Sequence, residues 1–227
     1  MSTSVSANLA QVRKRIELAC LAAGRPASAV HLLAVSKTMP AQAVRDAHAA
    51  GQVAFGENYI QEGVDKIASL ADLPLEWHCI GPIQSNKTKL VAENFAWVHS
   101  IDRLKIAERL SAQRPANLPA LQICLQVNVD GGRNKSGVAP ADLLALAQAV
   151  AQLPHLQLRG IMTIPEPAEN EAAARAVHRQ AKDLFDGLKA AGLSVDTLSM
   201  GMTGDLEAAI AEGSTCVRVG TAIFGQR

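Results

Sequence analysis

Aromatic residues are scarce in this sequence: Phe, Trp and Tyr make up 3% of its 227 residues. A core must therefore be packed from Ala, Leu, Val and Ile, and a hydrophobic fraction of 48% is ample for that. Charge of one sign is also lacking. A net charge of +1 gives no electrostatic reason to bind nucleic acid or an anionic membrane. No apolar run is long enough to span a bilayer. Residues 1–24 carry no signal-peptide pattern, because Arg13, Lys14, Arg15 and Glu17 interrupt any apolar stretch. Paired cysteines are missing: Cys20, Cys79, Cys124 and Cys216 are scattered among apolar neighbours with no C-x-x-C spacing. Buried reduced thiols in a cytoplasmic protein are expected, and zinc is not. No Pro/Gly/Ser-rich linker divides the chain, so residues 1–227 are expected to form a single domain.

What is present is an alternation of two patterns. Apolar, strand-like runs occur at 31–36, 53–56, 77–80, 97–101, 121–129, 158–164, 198–202 and 216–224. Helical spacing fills the segments between them, as at 40–50, 141–153 and 170–191, the last closed by Gly192. Strands alternating with helices imply parallel pairing, and eight strands close a (β/α)8 TIM-type barrel. Seven helices fit between eight strands, which leaves the outer ring one short. Val5, Leu9, Val12, Ile16 and Cys20 share one helical face ahead of the first strand. An extra N-terminal helix is therefore predicted to pack where an eighth outer helix would lie. An open doubly wound sheet is the alternative, weakened because no Gly-x-Gly-x-x-Gly turn follows the first strand.

Barrel active sites lie at the C-terminal ends of the strands. The first run leads into Lys37, and an ammonium is costly to hold in an apolar setting. A buried lysine loses its proton more readily, and its neutral amine attacks carbonyls. Schiff-base chemistry and a plain ion pair with a carboxylate both fit a lone lysine here. The last two runs narrow the choice. Ser199, Gly201 and Thr203 end one of them, ahead of a helical stretch at 206–211, and Arg218, Gly220 and Thr221 lie in the other. Glycines admit close backbone approach, hydroxyls donate, and a helix start favours an anion. Thr203 could simply cap its helix, but capping leaves the other small residues at two adjacent strand ends unexplained. Phosphate binding is the favoured reading. Alternation points Arg218 and His78 into the barrel. A buried guanidinium needs an anion, either a phosphate or a carboxylate such as Glu57. His78 fits a structural role as well as a ligand-facing one. An amine and a phosphate site at one mouth suit either a Schiff-base aldolase for sugar phosphates or a pyridoxal phosphate protein.

Several segments resemble the pyridoxal phosphate homeostasis protein family. They are Ala34-Val35-Ser36-Lys37-Thr38, the stretch 55–62 with Gly56-Glu57-Asn58, and the stretch 77–87 with His78 and Gly81-Pro82. The likeness continues through Asn134-Lys135-Ser136-Gly137, the stretch 159–164 with Met162-Thr163, Ser199-Met200-Gly201-Met202, and 217–225 with Arg218-Val219-Gly220-Thr221. It covers nearly the whole chain. The resemblance implies a barrel similar to the N-terminal domain of alanine racemase and pyridoxal 5'-phosphate held as a Schiff base on Lys37. It implies phosphate contacts from Ser199, Gly201, Thr203, Gly220 and Thr221, with Arg218 close by and Asn58, His78 and Met162 lining the pocket. It also implies buffering or delivery of the cofactor in vitamin B6 homeostasis, without an established reaction. Thr203 stands where a serine is usual, Gly204 where a bulkier polar residue is, and the sequence ends at Gly225-Gln226-Arg227 where relatives continue past an Arg-Asp-Tyr.

A non-catalytic carrier and an amino-acid racemase are the contrasting expectations. Racemisation needs acid/base groups on both faces of the substrate. By resemblance, the racemase type takes its second group from an additional β domain and a partner subunit, for which this sequence has no residues. Its single tyrosine, Tyr59, has no evident place opposite Lys37. A carrier is therefore expected, as a cytoplasmic monomer whose possible partners are apo pyridoxal phosphate enzymes. No catalytic or metal-binding residue is assigned.

Overall fold

The computed structural model describes residues 4–132 and 136–225. Asn134 and Lys135 of the motif at 134–137 lie outside them, as do Gln226 and Arg227. Strands β1 (His31–Val35), β2 (Ala54–Glu57), β3 (Glu76–Cys79) and β4 (Trp97–Ile101) are followed by β5 (Leu121–Val127), β6 (Leu156–Thr163), β7 (Thr197–Ser199) and β8 (Cys216–Val219). They form a closed parallel barrel in sequence order, and β8 returns beside β1 with Arg218 opposite Leu33. Between them lie α2 (Ala41–Ala49), α3 (Ile60–Ser69), α4 (Thr88–Asn94), α5 (Leu104–Gln113), α6 (Leu143–Ala151), α7 (Glu171–Ala190) and α8 (Leu206–Ala211). Helix α1 (Val5–Ala22) precedes the barrel and α9 (Thr221–Phe224) follows it. The expected (β/α)8 TIM-type barrel with an added N-terminal helix is the fold observed. Among the described residues no helix is long and apolar enough to cross a membrane.

The seventh and eighth runs end three or more residues earlier than their apolar character predicts. The seventh stops at Ser199 because Gly201 takes φ +94°, a left-handed conformation that turns the chain out of the sheet. A Cβ on Gly201 would come within 2.5 Å of the Ala209 methyl. The eighth stops at Val219, and the residues after Gly220 coil into α9 rather than continuing as strand. A Cβ on Gly220 would lie 3.1 Å from the Val35 carbonyl, tighter than an ordinary contact, so glycine eases the chain's passage beside β1. Both runs read as strand because apolar residues flank the glycines, and both turns open the barrel mouth.

Helix α1 fills the predicted place. Ser4 caps it by accepting the Ala7 N–H. Leu9, Val12, Ile16 and Cys20 are buried along one face, with Val5 half-buried beside them. The helix packs between α2 and α8 and against α9. Polar side chains pin it on each side. Arg13 donates to the carbonyls of Ala50 and Gly51, Arg15 forms an ion pair with Glu207, and Asn8 Nδ2 donates to the Ile223 carbonyl at 2.9 Å.

Alternation along the strands divides the interior in two. Phe55, Trp77, Cys79, Val98, Ile123, Val217 and Val219 join the helices in one large apolar layer. Inside the barrel, Leu33, Ile80 and Cys216 make only a small apolar cluster. The remaining inner space holds His78, His99, Ser199 and Arg218, all buried and hydrogen-bonded to one another in sequence. If α1 is an integral part of the outer layer, Leu9→Ala should lower the unfolding free energy by about 2–5 kcal/mol, the range for a leucine removed from a packed core. Leu18→Ala, on the solvent face of the same helix, should change it by less than about 0.5 kcal/mol. Urea denaturation of the two variants provides the comparison.

Candidate functional site

Lys37 follows β1 in a segment that is held on both sides. Ser36, before it, is fully buried, and its Oγ donates to Glu57 Oε1 at 2.6 Å. Lys66 reaches in from α3 and donates to the Ser36 carbonyl (2.8 Å), to Glu57 Oε1 (2.7 Å) and to Glu62 Oε1 (3.0 Å). The Thr38 N–H, after it, donates to Glu62 Oε1 at 2.5 Å. Thr38 adopts φ +62°, a region that non-glycine residues rarely enter. Holding a β-branched residue there requires outside support, which Glu62 supplies. Burial pushes the Glu57 carboxyl above its ordinary range, against the opposing hydrogen bonds from Lys66 and Ser36.

A cavity of about 440 Å³ opens beside Lys37 at the C-terminal mouth. Asn58, Thr203, Arg218, Gly220 and Thr221 line it with Lys37, and Val35, Met39, Ile80, Ile164, Met202 and Phe224 add apolar walls. The Thr221 and Thr203 hydroxyls lie 3.2 Å apart. Thr221 and Ala222 open α9, and a first helical turn leaves its N–H groups without intrahelical acceptors. Arg218 is 4% exposed, and burial lowers its pKa. Its guanidinium donates to Ser199 Oγ and to the Thr163 carbonyl, both at 2.8 Å. These acceptors are neutral, and Asp205 attracts it only at longer range. Glu57, a carboxylate considered for Arg218, is instead committed to Lys66 and Ser36.

The other residues singled out in the sequence are placed differently. Ser199 is buried below the cavity and holds Arg218. Gly201 forms the turn that brings Thr203 to the mouth. Met162 is fully buried and pairs in register with Ser199. His78 points inward, as alternation requires, but its ring lies toward the opposite end of the barrel. There it stacks on Trp97 (ring centroids 5.3 Å apart) and is bonded to Glu76 and His99. It is one of the residues around a second cavity at the N-terminal face, not of those around the mouth.

The chain matches the family model "Alanine racemase, N-terminal domain" over residues 7–227. It is 62% identical to the pyridoxal phosphate homeostasis protein of Pseudomonas aeruginosa, across 100% of this chain and 97% of that one. Its identity to the Escherichia coli protein of the same name is 54%, across 98% and 97%. The chain belongs to the pyridoxal phosphate homeostasis protein family. Among solved structures it resembles PipY of Synechococcus elongatus with PLP bound, at a TM-score of 0.85 and 41% identity over 98% of this chain and 100% of that one. Alanine racemase of Clostridium difficile shares the fold, with a TM-score of 0.76 at 13% identity over 97% of this chain and 57% of that one.

For this member of the pyridoxal phosphate homeostasis protein family, the mouth has the chemistry an aldehyde phosphate requires. It combines an amine, paired hydroxyls, a glycine turn and a buried cation with neutral partners. Lys66, Glu62 and His99 were missed by sequence reasoning. A signal existed for Lys66, which falls on the buried face of α3 with Ile60 and Gly63 and four residues after Glu62. Lys66→Met leaves Glu57 buried without its cation and should cost about 3–5 kcal/mol of stability. Adding Glu57→Gln should restore part of that loss. Chemical denaturation of the single and double variants measures both, and a Lys66→Met protein as stable as the parent would mean that the Lys66–Glu57 pair does not hold this segment.

Proposed function

We propose that this chain binds pyridoxal 5'-phosphate at the barrel mouth and holds it for buffering or delivery, in vitamin B6 homeostasis, without catalytic turnover. The observation that carries the reading is one cavity bearing Lys37 after β1 and a set of anion donors after β7 and β8. The cofactor supplies an aldehyde and a phosphate. Lys37 Nζ would hold the cofactor by its aldehyde carbon, as a reversible Schiff base formed with loss of the aldehyde oxygen as water. Thr203, Thr221 and the first amides of α9 donate to the phosphate, with Gly220 and the Gly201 turn letting the backbone approach it. Ser199 and the Thr163 carbonyl orient Arg218, whose fixed charge complements an anionic ligand. Asn58 and Met39 share the lining with Lys37. Met162 and His78 support the interior below the site.

The lining argues for holding over turnover. Among its described residues the ionisable side chains are Lys37 and Arg218, and arginine does not give up its proton in proteins. A racemase needs two acid/base groups on opposite faces. Tyr59 is exposed and lies outside the lining. The four free cysteines are buried, which suits a reducing cytoplasm. We take the chain to act as a single-domain monomer, with apo pyridoxal phosphate enzymes as recipients.

Addition of pyridoxal phosphate should turn the purified protein yellow. Borohydride should bleach it and fix one cofactor to Lys37, located by peptide mass. Lys37→Ala should stay colourless; if it remains yellow, the Schiff-base assignment is lost. Lys37-dependent turnover of alanine or serine enantiomers would overturn the carrier role. Transfer to an apo-enzyme faster than spontaneous release supports direct delivery, whereas equal rates leave buffering.

A further inference from the structure

A row of buried polar groups crosses the barrel interior from the mouth to the opposite face. Arg218 Nη1 lies 2.8 Å from Ser199 Oγ, and Ser199 Oγ lies 3.0 Å from His99 Nδ1. His99 Nε2 lies 2.9 Å from His78 Nδ1, and His78 Nε2 lies 2.9 Å from Glu76 Oε1. These residues come from β8, β7, β4 and β3. Glu76 is half-exposed and faces a cavity of about 830 Å³ at the N-terminal face, together with His31, Arg159 and Asp196.

The two ends fix the direction of every bond. Arg218 can only donate, so Ser199 Oγ accepts from it. An ionised Glu76 can only accept, so His78 Nε2 carries a proton. Burial lowers the pKa of His78 and holds His99 well below the ordinary imidazole range, so both rings are neutral. His78 Nδ1 is then an acceptor, and His99 must donate to it from Nε2. His99 Nδ1 is left as an acceptor and takes the Ser199 hydroxyl proton. The row is one-directional, with a cation at the mouth and an anion at the far face. Each bond polarises the next in the low-dielectric interior.

We propose that Ser199, His99, His78 and Glu76 are positioning residues for Arg218, and that the charge at Glu76 is felt at the cofactor site across the barrel. The inference rests on cofactor binding at the mouth. An ionised Glu76 draws proton density along the row and makes Ser199 Oγ a better acceptor for the guanidinium. Neutralising Glu76 slackens that hold without altering any residue of the mouth.

Glu76→Gln keeps the shape and removes the charge. It should weaken pyridoxal phosphate binding by about threefold to tenfold, a coupling of ordinary size for connected polar groups. The visible absorbance band should shift while the thermal midpoint stays unchanged. In a His99→Phe background, where the row is cut, Glu76→Gln should have no further effect on either readout. Parental affinity and spectrum in Glu76→Gln, or an equal effect with and without His99, overturns the relay. Nitrogen NMR of the imidazoles in the ligand-free parent tests it independently of any variant's folding and of the cofactor. Both rings should be neutral with the proton on Nε2, and a proton on Nδ1 of either ring breaks the stated direction. A parent protein that binds no pyridoxal phosphate instead overturns the function proposed above, and the relay then stands or falls on the NMR result.

Discussion

The barrel mouth depends on one buried ion pair, Glu57 with Lys66. Two charges in the interior are rarely worth more than a well-packed apolar pair of the same volume. Their value here is directional. Lys66 spends its donors on Glu57, on Glu62 and on the Ser36 carbonyl. Glu62 then has an oxygen placed to hold the Thr38 amide in a backbone conformation that threonine would otherwise leave. An aliphatic pair could fill the space but could not grip a carbonyl on one side of Lys37 and an amide on the other. Remove either charge and the lysine remains in the sequence without a fixed place to reach from.

The alternation of strand residues gives the two sides of the barrel wall different tasks. Outward residues meet the helices and provide the apolar burial that makes the fold stable. That frees the inner side from supplying much hydrophobic contact, and its middle is polar. Such an interior is tolerable because its donors and acceptors are matched one to one from Arg218 to Glu76. A single unmatched member would be costly, because a buried polar group without a partner keeps the full penalty of its lost hydration.

Much of the architecture was legible in the sequence because a parallel barrel repeats one unit. Each apolar run stands between helical spacings, and the Leu9–Val12–Ile16–Cys20 stripe marks α1 as a helix that must cover something. Strand ends were less legible. Gly201 and Gly220 sit inside apolar runs, and only the backbone geometry reveals them as turns. Strand-end position was enough to place Lys37, Asn58, Thr203, Gly220 and Thr221 around the mouth cavity, because position along the axis and exposure to the mouth coincide there. It did not suffice for His78. Alternation says that a side chain points inward, but not toward which end of the barrel its ring leans. The Glu57 pairing was illegible for a different reason. Charge matching could name a carboxylate for Arg218, but only the approach of α3 shows that Lys66 reaches Glu57 first.

The contact between Asn8 and the Ile223 carbonyl joins residues 215 positions apart. It fastens the first helix to the short helix whose opening turn carries Gly220 and Thr221. Loop closure over such a separation has to be completed before this contact contributes anything. During synthesis, Lys37, Glu57 and Lys66 have all been added long before the residues of α9. The half of the mouth built after β7 and β8 therefore arrives late in the life of the nascent chain, whereas Lys37 is made early. Firm capture of the ligand would then report that the ring of strands has already closed.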